Sequence, residues 1–133
     1  GQLHAGITEI KLGSVRPTRD FTFVTDTVDG FLAVASTDRT LGEVVNVGSG
    51  REISIGELAE LIIEVSGRDA KVITDDSRLR PTGSEVERLL CDTTKCRELT
   101  GWSARVGLRD GLRRTSDWVR DHQPREQALR YQV

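Results

Sequence analysis

The sequence of 133 residues has no methionine, one tyrosine, two histidines and two cysteines. Each shortage removes a class of function. Cys91 and Cys96 are too few for a disulfide scaffold, and their spacing is not the Cys-x-x-Cys of a metal or redox motif. His4 and His122 lie far from them in sequence, so no metal site is expected. The cysteines read instead as buried or half-buried thiols in a reducing cytoplasm. No apolar run approaches the roughly 20 residues of a membrane span, and no basic-then-apolar start marks a signal peptide. A Tyr-x-x-x-Lys pair has no place, because Tyr131 is the sole tyrosine and no lysine follows it. There is no G-x-S-x-G elbow, and neither histidine stands in a recognisable base position. Since methionine is missing, Gly1 is not a retained initiator; a processed start and a piece of a longer protein both fit.

Charge is balanced, with 19 Lys+Arg against 21 Asp+Glu. That argues against a dedicated nucleic-acid binder, which would carry a basic excess. Of the cations, 16 are Arg and 3 are Lys, a bias that a GC-rich bacterial genome explains without any phosphate-binding role. Length and a 36% apolar content suit one soluble globular domain with a modest core.

Periodicity and punctuation predict the element order β-β-α-β-α-β-α-α, a small α/β or α+β layer structure over 1–122. Ile7–Leu12 alternates like a strand and stops at Gly13, and Phe21, Phe23 and Val24 form a second extended run. A helix is expected over 26–36, capped by Asp26 or Thr25, with Val28, Phe31, Leu32 and Ala35 at helical spacing. Gly30 inside it implies close packing against another element. The clearest strand is Val44–Val47, ending in Gly48-Ser49-Gly50. Ser54 and Glu57 make a capping box for a helix that reaches about Val65 and ends at Gly67. Lys71–Thr74 reads as a strand and 75–88 as a long polar loop. Asp92 or Thr93 caps a short helix to Leu99, Trp102 packs on something apolar, and the last helix covers 108–121. Residues 123–133 read as a frayed polar tail.

Gly48-Ser49-Gly50 follows a strand and precedes a helix, which invites a dinucleotide reading. The fingerprint needs a third glycine where Ile53 stands, so a tight turn is the preferred account. Paired carboxylates such as Asp75-Asp76 read as solvated faces. What remains are Arg19 and Arg80, each in a loop. A guanidinium is a rigid fork of donors that matches a phosphate, so two of them can clamp a diphosphate. Spacing alone favours ordinary surface arginines.

At these residues the sequence resembles the C-terminal part of the extended short-chain dehydrogenase/reductases, the NAD(P)-dependent sugar-nucleotide epimerases and 4,6-dehydratases. Arg19-Asp20-Phe21-Thr22-Phe23-Val24-Thr25-Asp26 is similar to their R-D-[FYW]-x-x-V-x-D segment, and Asn46-Val47-Gly48-Ser49-Gly50 to their N-x-G-x-G strand end. Arg80-Pro81-Thr82 with Glu85-Val86-Glu87, then Asp92-Thr93-Thr94-Lys95 and Leu99-Thr100-Gly101-Trp102, resemble the R-P-x, D-x-x-K and L-G-W tail of GDP-mannose 4,6-dehydratase relatives, with Gly83-Ser84 as an insertion. The likeness covers about residues 5–122.

The resemblance implies a substrate-binding lobe without its Rossmann cofactor lobe. Arg19 and Arg80 would hold a nucleoside diphosphate, Asn46 would sit near the nucleotide, Glu85 would accept ribose hydroxyls, and Leu12 and Val15 would flank the base. The glycine-rich NAD loop, the catalytic Tyr-x-x-x-Lys and its Ser/Thr partner belong to an N-terminal region outside this chain. The expectation is therefore a nucleotide-sugar-binding lobe with no catalytic residue, no bound cofactor and no activity by itself, from a cytoplasmic NAD(P)-dependent lyase or isomerase. Its partners would be a nucleoside diphosphate sugar and the missing lobe, with self-association through exposed apolar surface, and no nucleic acid or membrane. The alternative is a non-enzymatic interaction module on the same scaffold.

Overall fold

The computed structural model describes residues 1–79, 81 and 83–122; the expected polar tail and Arg80 lie outside them. The described residues form five short strands and four α-helices: β1 (Glu9–Leu12), β2 (Thr18–Asp20), α1 (Val24–Ala35), β3 (Glu52–Ser54), α2 (Ile55–Ser66), β4 (Lys71–Thr74), β5 (Arg88–Leu89), α3 (Thr94–Thr100) and α4 (Leu108–His122). This is the small α/β structure expected from the sequence. The described chain forms two compact units: residues 1–17, 54–87 and 109 onward make one, and 18–53 with 88–108 make the other.

The first unit is built on a parallel pair. β1 runs beside β4 with Glu9 opposite Lys71 and Leu12 opposite Thr74. Parallel neighbours need a long crossover, and α2 lies in the connection that supplies it. Its start is locally determined. The Ser54 hydroxyl accepts from Glu57 N at 3.2 Å while the Glu57 carboxylate accepts from Ser54 N at 3.0 Å, so two otherwise orphaned amides are satisfied reciprocally. Gly67 ends α2 in the left-handed conformation, φ +63°, where a side chain would be strained. One face of α2 (Ile55, Leu58, Ile62) and one of β1 (Ile10, Leu12) line an apolar cavity of about 360 Å³.

In the second unit the strands are ordered β3-β2-β5, with Thr18 opposite Arg88 and Arg19 opposite Leu89 in the parallel β2–β5 pair. Three expectations fail here. The run Val44–Val47 is not a strand, because β-branched residues favour a ladder but do not supply the neighbour it requires. The expected extended run at Phe21–Val24 is shifted, with β2 at Thr18–Asp20 and Val24 already helical. Asp26 is no cap: α1 starts after Phe23, and the Asp26 carboxylate is 4% exposed, accepting from Arg105 N at 3.0 Å and Val106 N at 2.8 Å.

The other side of α1 is the larger surprise. Val28, Phe31 and Leu32, the stripe read from spacing, are 50–63% exposed, whereas Asp26 and Gly30 are the buried positions. Gly30 explains its own presence. A Cβ there would overlap Val47 Cγ1 and come within 3.1 Å of the Trp102 ring. Gly30→Ala should therefore destabilise the unit by about 1–3 kcal/mol through overpacking, although alanine is the better helix former by about 1 kcal/mol. Urea unfolding of the two proteins measures the sign; a more stable variant would contradict this packing.

Candidate functional site

β2 carries the arginine singled out in the sequence, and side-chain alternation separates its three residues. Thr18 and Asp20 share one side of the strand and Arg19 takes the other. The two neighbours are fully engaged. Thr18 Oγ1 donates to Glu52 Oε2 on β3 at 2.7 Å. The same carboxylate takes a bidentate guanidinium from Arg88 on β5, with Nε and Nη2 at 2.9 and 2.7 Å from Oε1. One side chain from each strand thus closes a cross-sheet network.

Asp20 binds a different segment. Its carboxylate accepts from Ser49 N at 3.0 Å, from Gly50 N at 2.8 Å, from the Ser49 hydroxyl, and from Cys91 N at 3.4 Å. A carboxylate surrounded by backbone amides is a strong charge-assisted arrangement. It also decides the glycine turn. The Ser49 and Gly50 amides, which a pyrophosphate would need, already serve an anion of the chain itself, and Ile53 stands in for the third glycine. These residues do not fit a dinucleotide pyrophosphate, so the tight-turn reading of Gly48–Gly50 is the one the geometry supports.

The predicted site residues divide between the units. Arg19 sits in β2 and its Nη1 donates to the carbonyl of Thr18 at 2.7 Å. Asn46, in the same unit, is exposed and reaches the Asp92 carbonyl through Nδ2 at 3.4 Å, bracing the stretch before the turn. Leu12 ends β1 and contributes to the apolar cavity. Val15 precedes β2, where its carbonyl accepts from Gly56 N at 2.9 Å at the start of α2. Glu85 is half-buried in the stretch before β5, and Arg80 is not among the described residues. Sequence reading missed Asp20, Glu52 and Arg88. The signal for Asp20 was its place beside Arg19; Glu52 and Arg88 are 36 residues apart and gave none.

Titration follows from these contacts. Hydrogen bonds from Arg88 and Thr18 hold Glu52 well below the usual carboxylate range, at about 2. Burial first, then the charges of Asp20 and Asp92, pushes the Cys91 thiol up, which keeps it protonated and a poor nucleophile. His4 Nε2 lies 2.9 Å from Ser116 Oγ, which has the look of a serine–base pair. Among the described residues its buried Nδ1 has no hydrogen-bond partner, and burial foremost, then the charges of the N-terminus, Arg68 and Arg120, lowers its pKa. Among the described residues no carboxylate orients this ring, and its lowered proton affinity makes it a weaker base for the hydroxyl.

Two outcomes test this geometry. Asp20→Ala strands three backbone amides and should cost about 1–3 kcal/mol in urea unfolding. The Glu52 shift is downward, so its contribution is complete above pH 4.5 and disappears as pH falls through about 2. Glu52→Gln should flatten the pH dependence of the unfolding midpoint inside that window and leave the slope above it unchanged.

Comparison with known proteins supplies the family. The family model for GDP-mannose 4,6 dehydratase matches residues 2–115. GDP-L-fucose synthase 1 of Arabidopsis thaliana is 44% identical over 107 residues, which is 80% of this chain and 31% of the synthase. UDP-glucose 4-epimerase of Thermotoga maritima, solved with UDP-glucose, superposes with a TM-score of 0.78 at 27% identity, covering 92% of this chain and 38% of the epimerase. RMD from Pseudomonas aeruginosa, solved with NADPH, gives a TM-score of 0.73 at 26% identity, covering 84% of this chain and 36% of that protein. The chain belongs to the GDP-mannose 4,6-dehydratase family, within the NAD-dependent epimerase/dehydratase group of extended short-chain dehydrogenase/reductases, and spans about a third of the length of the proteins it matches.

Proposed function

We propose that this chain is the nucleotide-sugar-binding lobe of an NAD(P)-dependent sugar-nucleotide dehydratase or epimerase and has no catalytic activity by itself. The observation that carries the reading is the setting of Arg19. It lies on the middle strand of a sheet whose flanking side chains, Thr18 and Asp20, are committed to structural partners. The Arg88 guanidinium, opposite Thr18 in the ladder, is neutralised by Glu52. Anchored neighbours keep the backbone of Arg19 in one place, and a fixed backbone lowers the entropy lost when a guanidinium engages an anion.

In this reading Arg19 and Arg80 donate to the diphosphate oxygens and Asn46 and Glu85 bind the nucleoside, with Leu12 and Val15 beside the base. NAD(P), which would accept and return a hydride, and the tyrosine acting as base belong to the part of the parent outside this chain. The support for the ligand class is the motif order together with a family member solved with UDP-glucose. Each arginine supplies charge-assisted hydrogen bonds of about 1.5–3 kcal/mol, so Arg19→Ala and Arg80→Ala should each weaken binding roughly ten- to a hundredfold. Amide-shift titrations of the chain with UDP-, GDP-, dTDP- and CDP-sugars at low salt provide the measurement. Undiminished binding in both variants removes the clamp.

The exposed apolar stripe of α1 favours a protein partner as well. It is compatible with a lobe and does not require the non-enzymatic module.

A further inference from the structure

In the first unit, the turn that follows β4 is built against the end of β1. The Asp75 amide donates to the Leu12 carbonyl at 2.7 Å, one residue beyond the last pair of the β1–β4 ladder, Leu12 with Thr74. The chain then closes into a single 3-10 turn, Asp76–Arg78. The Asp75 carboxylate accepts from Ser77 N at 3.0 Å and from the Ser77 hydroxyl at 2.6 Å, and it pairs with Arg78 Nε at 3.5 Å. The carbonyls of Asp75 and Asp76 accept from the amides of Arg78 and Leu79 at 3.0 and 3.1 Å.

This turn lays the main chain of Arg78 on Gly13. A Cβ at Gly13 would overlap the Arg78 carbonyl oxygen and come within 2.9 Å of the carbonyl carbon. Both are main-chain atoms, so no change of rotamer clears the space. Gly13 is not at positive φ, and the nearest atoms a side chain would meet all belong to Arg78. Glycine is therefore required here for the room it leaves and not for its backbone freedom. Alanine would drive the carbonyl back by about 1 Å before the contact became an ordinary one.

Arg80 follows Arg78 by two residues in the sequence. We propose that Gly13 is a positioning residue for nucleotide binding: by admitting the turn at 75–79 it fixes where the chain leaves that turn, and so where the stretch carrying Arg80 begins. Gly13 itself touches no ligand. The proposal rests on the reading of Arg80 as a phosphate-binding residue. A guanidinium forms paired, directional hydrogen bonds with a phosphate, so displacing the start of its segment weakens the contact without removing any charge.

A double-mutant cycle on the full chain tests this, with GDP-mannose and UDP-glucose as probes and amide shifts as the readout. Gly13→Ala should weaken binding at least about fivefold in the wild-type background and less than about twofold in the Arg80→Ala background. A glycine with a merely structural role lowers affinity by the same factor in both backgrounds, or in neither, and either result overturns the proposal. Failure of the underlying reading looks different. There the wild-type chain binds neither probe, or Arg80→Ala alone leaves affinity unchanged, and the proposal falls with it.

Urea unfolding establishes whether Gly13→Ala is folded under the titration conditions. If it is not, Asp75→Ala takes its place, because it removes the side-chain acceptor of Ser77 and the partner of Arg78 while keeping the backbone bond to Leu12. Weakening of at least about threefold that disappears in the Arg80→Ala background sustains the role of the turn. Unchanged affinity, or the same loss in both backgrounds, overturns it.

Discussion

The carboxylate of Asp20 gathers three segments that are remote in sequence. It ends β2, it accepts the two amides of the Ser49–Gly50 turn, and it reaches the Cys91 amide beyond β5. Backbone amides without acceptors would otherwise be stranded at a turn and a strand end, and a single charged group satisfies them together. Close packing depends on the same point. Gly48 is buried with no room for a Cβ, because Cys91 fills that space. A second carboxylate repeats the device at the other end of the same motif, where buried Asp26 holds the amides of Arg105 and Val106. The two acids of the R-D-F-T-F-V-T-D segment are thus fasteners.

Charge is arranged accordingly. Glu52 neutralises Arg88 and is itself held ionised by it, so the sheet carries its own ion pair across Thr18. On the outer surface the remaining pairs, such as Lys71–Glu9 and Arg109–Glu64, join exposed side chains and contribute little stability individually. Part-buried hydrogen bonds at Asp20 and Asp26 and close backbone contacts at Gly30 and Gly48 tie the second unit together. This fits a chain with few fully buried apolar residues.

That thin core connects fold to function. The chain spans about a third of the proteins it matches, and α1 shows four large apolar side chains to solvent. Surface of this kind is retained where another part of a protein covers it. The chain orders β2 through hydrogen bonds within its own sheet while one apolar face of α1 stays exposed.

Much of the local structure was legible in the residues themselves. The Ser54/Glu57 capping box, the glycine stop at Gly67, the β4 strand and the α3 stop at Gly101 all appear where spacing put them, because each depends on groups within a few residues. The motif order likewise identified the family. Tertiary structure alone decided the rest. Val44–Val47 has the composition of a strand yet no partner, and composition cannot create one. Asp26 looks like a cap but serves amides 79 and 80 residues away. The side of α1 that is buried was set by Gly30 fitting under Trp102, a close approach that overrides the apolar stripe. Local hydrogen bonds are written in local sequence; pairing, burial and the choice of face depend on what the folded chain brings alongside.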